Sequence, residues 1–194
     1  MKKFAGFLSV AVLAFTVVGC SESTSPAAPS AMSVTEEARG GVPNENSRAA
    51  LPTIAGTAVA GGFNTLVYAL DKAGLVETFS GSRQFTVFAP TDAAFGAAAQ
   101  AFGLGSGEAL VDYLDDNGLL AQVLTYHVTL GDRRAQAVLS SGKLVMLDGN
   151  VAAITVDVEG AKIAGALIEK TDVIASNGVI HVLGGVMLPP GFGE

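Results

Sequence analysis

Hydrophobic positions follow four successive rhythms along the chain. Lys2 and Lys3 precede a largely apolar run from Phe4 to Val18, shorter than the ~20 residues of a membrane-spanning helix. From Ser21 to about Pro52, Ser, Ala, Pro, Glu and Gly dominate and no period survives. Phe63, Leu66, Val67, Leu70 and Leu75 then recur mostly at three- and four-residue spacing, which predicts an amphipathic helix. After Arg134 the spacing moves towards two, the rhythm of strands.

Local signals place the ends of these elements. Asn64 is positioned to cap the first helix, with Phe63 stapled against Tyr68, and Gly74 to take the left-handed position that returns Leu75 to Leu70. Phe85 to Phe88 reads as a buried strand ended by Pro90. Thr91 then caps a helix from Ala93 to Phe102, with Asp92 at the positive end of its dipole. Glu108 to Asp116 is a further short helix ended by Asn117-Gly118, and Leu119, Leu120, Val123 and Leu124 carry an apolar helical face into Tyr126-His127-Val128. Strands are predicted at 144–147, 151–158, 161–168, 173–175, 179–183 and 186–188. Turns at Asp148-Gly149, Glu159-Gly160 and Asn177-Gly178 separate them. Helices first and an antiparallel sheet after, with one early strand recruited into it, is an α+β fold. Phe85, Val87, Ile180 and Val182 are the expected inward-facing strand residues.

Charge narrows the partners. Eleven Lys and Arg stand against 18 Asp and Glu, a net charge of −7; with the adjacent basic pairs Lys2-Lys3 and Arg133-Arg134 isolated, nucleic acid is excluded as a partner. The single cysteine rules out an internal disulfide, so packing must hold the domain.

That cysteine has another use. The basic start, the apolar run and the small residue before Cys20 form a secretory signal, and Val17-Val18-Gly19-Cys20 resembles the lipobox of bacterial lipoproteins. The resemblance implies a signal peptide over residues 1–19 and diacylglycerol on Cys20; Ser21 directs the protein to the outer membrane where the cell has one. Residues 20–52 form the lipidated cysteine and a flexible tether, a coil that holds the domain ~30 Å from the membrane on average. The folded domain spans 53–190 and residues 191–194 are a tail.

Three motifs identify that domain. FTVFAPTDAAF, from Phe85 to Phe95, and SNGVIHVLGGVMLPP, from Ser176 to Pro190, resemble the two characteristic blocks of fasciclin-like domains, and TYHV, from Thr125 to Val128, resembles the tyrosine-histidine motif between them. The resemblance implies a wedge of two packed β-sheets with several helices along one edge. It also implies that Tyr126, His127, Asp172 and Val173 are candidates for binding a partner, Val173 standing where the family has isoleucine. Gly184 stands where aspartate is usual. The residues themselves admit a second reading: a buried Tyr126 ring, His127 bonded to backbone, His181 paired to a loop carbonyl from within its strand, and Asp172 as a cap.

No catalytic motif accompanies these residues. There is no nucleophile elbow, phosphate loop or paired-histidine zinc motif, and Gly103 to Gly107 lacks the preceding strand that dinucleotide binding needs. Asp112, Asp115 and Asp116 are a carboxylate group on a short helix and read as solvated. No enzyme activity, cofactor or metal is expected. The expected function is a membrane-anchored extracytoplasmic adhesion or interaction module binding protein or polysaccharide. The alternatives are a carrier of an apolar ligand such as a carotenoid, which some family members resemble, and an envelope housekeeping protein without a fixed ligand.

Overall fold

The computed structural model describes residues 48–192; the expected signal peptide, Cys20 and nearly all of the tether lie outside the described residues. The folded body includes Arg48, ahead of the expected start at Thr53. The Arg48 guanidinium pairs with Asp132 at 2.5 Å and donates to the carbonyls of Ala175 and Gly178, fastening the incoming chain to the last hairpin.

Six helices surround the first strand. α1 (Ile54–Ala60) is capped by Thr53, whose hydroxyl accepts from the Gly56 amide. α2 (Asn64–Lys72) ends as its sequence predicts, with Gly74 at φ 66° and the Leu75 amide bonded to the Leu70 carbonyl at 2.9 Å. Its start differs. Phe63 holds the cap position without a side-chain bond, and Asp92 accepts from the Thr65 amide at 2.9 Å and the Asn64 side chain at 3.1 Å. A residue in the first turn of one helix thus caps another. α3 (Val76–Ser80) follows, then β1 (Phe85–Pro90), α4 (Asp92–Ala101) capped by Thr91, α5 (Gly107–Asp116) capped by Ser106, and α6 (Leu120–Tyr126).

After α6 come β2 (Val128–Leu130), α7 (Ala135–Ser141), β3 (Lys143–Val145), β4 (Val151–Asp157), β5 (Gly160–Ile163), β6 (Ala166–Ala175) and β7 (Gly178–Leu183). The strands are ordered β2-β1-β7-β6-β5-β4-β3. All neighbours are antiparallel except β1 and β7, which pair in parallel from Phe85 with Gly178 to Pro90 with Leu183. Bulges interrupt β6 on either side of Lys170. The two ends of this order meet: the Leu147 amide donates to the Val128 carbonyl at 2.7 Å, and the Thr129 hydroxyl to the Val145 carbonyl at 2.8 Å. The curl occupies edges that otherwise invite pairing with another chain.

Alternation along β1 and β7 divides the core in two. Phe85, Val87, Ala89 and Ile180 face the helices and join Leu66, Phe79, Leu110 and Val123. Phe88 and Leu183 face the other way and join Leu144, Met146, Ile154 and Ile163 from β3, β4, β5 and their flanks. The central strands on one side of this second core and the β3–β5 strands on the other realise the two packed layers of an α+β fold. Val182 is only half-buried.

Several expected elements change. The stretch 161–168 is two strands, divided by a turn at Ala164 and Gly165 with φ 47° and 83°. Residues 186–188 form no strand, because the Met187 amide is taken by a histidine ring rather than by a ladder. α1, α3, α7 and β2 are additional, each only a few residues long.

Ile180 is 1 % exposed in the helix-facing core. Ile180→Ala is expected to lower unfolding free energy by ~2–5 kcal/mol through lost burial and the cavity left behind, read from denaturant midpoints. A change below ~0.5 kcal/mol contradicts this packing.

Candidate binding surface and the motif residues behind it

The motif residues converge on backbone groups. Asn177, in the β6–β7 turn, is buried; its side-chain oxygen accepts from the Ile54 amide at 2.7 Å and its amide group donates to the carbonyls of Phe79 and Gly81 at 2.8 Å each. Its own carbonyl accepts from the Phe85 amide at 3.1 Å. One residue therefore closes the start of α1 and the end of α3 with its side chain and the start of β1 with its backbone carbonyl. Beside it Gly178 lies so close to β1 that an added Cβ would sit 1.9 Å from the Phe85 carbonyl oxygen. No other residue fits there.

Tyr126 and His127 are 2 % and 3 % exposed. The expectation that they contact a partner is corrected by this burial: the Tyr126 ring lies in the second core, and His127 is a strut. Its Nε2 accepts from the Met187 amide at 3.0 Å, so its Nδ1–H donates to the Val123 carbonyl at 2.7 Å. This fixes a neutral tautomer, and burial pushes the ring's pKa down from 6.5 to about 4.

His181 repeats the device on the opposite face of β7. It stacks on Phe88 with ring centroids 5.3 Å apart, accepts from the Asp172 amide at Nδ1 and donates from Nε2 to the Arg133 carbonyl at 2.9 Å. Burial lowers its pKa, opposed by the bond to Arg133. Asp172 sits in the bulged part of β6 with φ 58°, half-buried, and its carboxylate accepts from the Ala135 amide at 2.9 Å, capping α7. Val173 pairs with Ile180 and packs against the helix-facing core. The structure thus brings Asp172 and Val173 together on one strand and joins Asp172 to His181, while Tyr126 and His127 lie apart from them beneath the surface. Thr86 completes this junction, donating to the Gly131 carbonyl and accepting from the Arg133 amide.

Of the three aspartates of α5 expected to be solvated, Asp116 is exposed while Asp112 and Asp115 face a lysine. Asp112 accepts from the Tyr68 hydroxyl at 2.8 Å and pairs with Lys72 at 2.5 Å, and Asp115 stands 3.6 Å from the same lysine. The Lys72 bond, then the Tyr68 bond, holds the Asp112 carboxyl below the usual range. Among the described residues no group of His, Cys, Asp and Glu is arranged to hold a metal.

Two concavities differ in kind. An enclosed void of about 10 Å³ lies among Ile54, Leu70, Phe79, Leu124, His127 and Ile180, room for at most one water. An open cleft of about 280 Å³ runs between β2 and β3, past Leu130, Arg133, Val145 and Leu147. No described helix is long and apolar enough to cross a membrane.

The arrangement defines a class: an α+β module in which a curled mixed sheet is latched at β1, α6 and β7 by side chains bonded to backbone. A family profile described as Fasciclin domain matches residues 61–189, and the chain belongs to the fasciclin domain family. It is 41% identical over 128 residues to the protein sll1483 of Synechocystis sp., covering 66% of this chain and 68% of that one. Over 160 residues it is 31% identical to human stabilin-1, covering 79% of this chain but 6% of stabilin-1. The solved FAS1 domain pair from the insect cell adhesion molecule Fasciclin I shares the fold, with a TM-score of 0.58 and 14% identity over 71% of this chain and 51% of that one.

Asn177 was legible only as a turn residue and Asp92 only as a charge at the start of its own helix, and Arg48 and Asp132 carried no signal. Their partners lie on elements whose pairing no local pattern announces.

The neutral histidines give the fold a pH dependence. The unfolded chain takes up a proton at His127 near pH 6.5, the folded chain only near 4. Between these values the unfolded state binds the extra proton, so stability falls as pH is lowered. The slope reaches ~1.4 kcal/mol per pH unit for each such histidine. The lowered carboxyls of Asp92, Asp112 and Asp157 titrate below the usual 3.8, under this window. Unfolding free energy is expected to drop by ~2 kcal/mol or more from pH 7 to pH 4.5, and less in His127→Gln. Equal stability at the two pH values contradicts the buried neutral rings.

Proposed function

We propose that this protein is an extracytoplasmic interaction module of the adhesion type, lipid-anchored at Cys20, presented on a tether that runs from Ser21 to the residues before Arg48, and binding protein or polysaccharide without catalysing a reaction. The observation that carries the reading is the fasciclin domain matched over residues 61–189. A solved relative in fold is named a cell adhesion molecule. Within the domain both histidines spend both ring nitrogens on backbone groups. Neither is free to act as a general base, which supports a binding role over a catalytic one.

Val17-Val18-Gly19-Cys20 supports the anchor, and the length of the segment that follows supports presentation away from the lipid surface. An enclosed void of about 10 Å³ argues against an apolar ligand carried inside the domain.

Cells lacking the protein are expected to attach less to one another or to a matrix, and the wild-type chain to restore attachment. Cys20→Ala is expected to leave the carbonate-washed membrane fraction and to fail in restoring attachment. A deletion strain that attaches like its parent contradicts the adhesion reading; a Cys20→Ala protein that is cleaved yet still membrane-bound contradicts the lipid anchor.

A further inference from the structure

We propose that the cleft between β2 and β3 docks a segment of a protein partner that carries an aliphatic side chain next to a carboxylate. The proposal rests on the interaction-module reading and names the surface and the partner chemistry it uses.

The fold leaves Leu130, Val145 and Val151 51%, 64% and 49% exposed. They are not scattered. Val145 and Val151 are cross-strand partners of β3 and β4, so their side chains share the outward face. Leu130 and Val145 line a single cleft of about 280 Å³ with Leu147 and Arg133, space for one or two aliphatic side chains. Bonds from the Leu147 amide and the Thr129 hydroxyl close the two strand edges on each other, so a partner meets side chains here rather than adding a strand. The lining is aliphatic, with no aromatic ring on which the face of a sugar could stack, which favours a protein over a polysaccharide.

Charge completes the specification. Arg133 Nε–H points to the Leu130 carbonyl at 3.4 Å, a long contact that orients the guanidinium beside the cleft. Among the described residues its terminal nitrogens have no hydrogen-bond or ion-pair partner, whereas the neighbouring Arg134 is paired with Asp132. Lys143 lies two positions before Val145 on β3, hence on the same outward face. Its ammonium also makes no ion pair among the described residues. In a chain of net charge −7, Arg133 thus stands beside exposed aliphatic surface without an ion-pair partner, while the Asp148 carboxylate between Leu147 and Gly149 accepts from the Asn150 amide and side chain. A planar guanidinium with free terminal nitrogens takes a carboxylate at two points, while the cleft takes the adjacent side chain.

The test titrates the 15N-labelled full chain with acetyl-Glu-Leu-Glu-Leu-amide, acetyl-Lys-Leu-Lys-Leu-amide and acetyl-Glu-Ser-Glu-Ser-amide. The first peptide is expected to shift the amides of Leu130, Arg133, Val145 and Leu147, with the other two at least about tenfold weaker. Arg133→Glu is expected to reverse the preference between the first two, and Leu130→Ser to weaken the first about tenfold with the amide spectrum otherwise unchanged. Absence of shifts at these amides, or equal binding of the acidic and basic peptides, overturns the proposal. In cells, attachment fully restored by Arg133→Glu overturns the site and leaves the adhesion reading intact. Peptide binding in a protein whose deletion changes no attachment supports the site and overturns the adhesion reading.

Discussion

The close approach of the β6–β7 turn to the start of β1 is the constraint on which the fold depends. Parallel pairing of β1 with β7 joins segments separated by most of the domain, and no short turn can enforce it. Asn177 and Gly178 do so instead. The glycine lets the two backbones meet at Phe85, and the asparagine ties that meeting point to α1 and α3 through three side-chain hydrogen bonds. Removing the asparagine side chain strands a buried amide and two carbonyls, each costing roughly 1–3 kcal/mol when left without a partner.

The two histidines extend the same principle outwards from this junction. His127 holds the segment after β7 against the end of α6, and His181 holds the loop after β2 against the bulge of β6. Each ring bridges an amide and a carbonyl that fall outside any ladder, which satisfies buried polar groups where the chain is irregular. Motif residues that invite a binding interpretation therefore serve to close the scaffold. The partner surface proposed above lies outside the motifs, in the aliphatic cleft between β2 and β3 with Arg133 at its side. Rigid latches beneath and an open cleft above suit a domain that presents a surface.

Much of this was legible before the fold was known. The helices at 64–72, 92–101, 107–116 and 120–126 follow from apolar spacing, with Thr91 and Gly74 marking boundaries where the structure has them. Asp148-Gly149 falls between paired strands, while the turns expected at Glu159-Gly160 and Asn177-Gly178 lie one residue earlier, at Val158-Glu159 and Ser176-Asn177, with each glycine opening the next strand. Short elements escaped because one or two turns of helix or three residues of strand carry too few positions to show a period. The Ala164-Gly165 turn escaped because alanine at positive φ is uncommon. Burial of Tyr126 and His127 was one of two readings the sequence allowed, and only the contacts of Met187 and Val123 decide it. The cleft was invisible, since it is formed by strands that meet at opposite ends of the sheet order.

The claim that a backbone-bonded side chain in the last hairpin holds the domain together is tested most directly by equilibrium denaturant unfolding of Asn177→Ala beside the wild type. Two buried bonds and one partly buried bond lost at once predict a loss of at least ~3 kcal/mol of unfolding free energy. A loss below ~1 kcal/mol, the cost of an ordinary substitution, would show that the junction of β1 and β7 is held by something else.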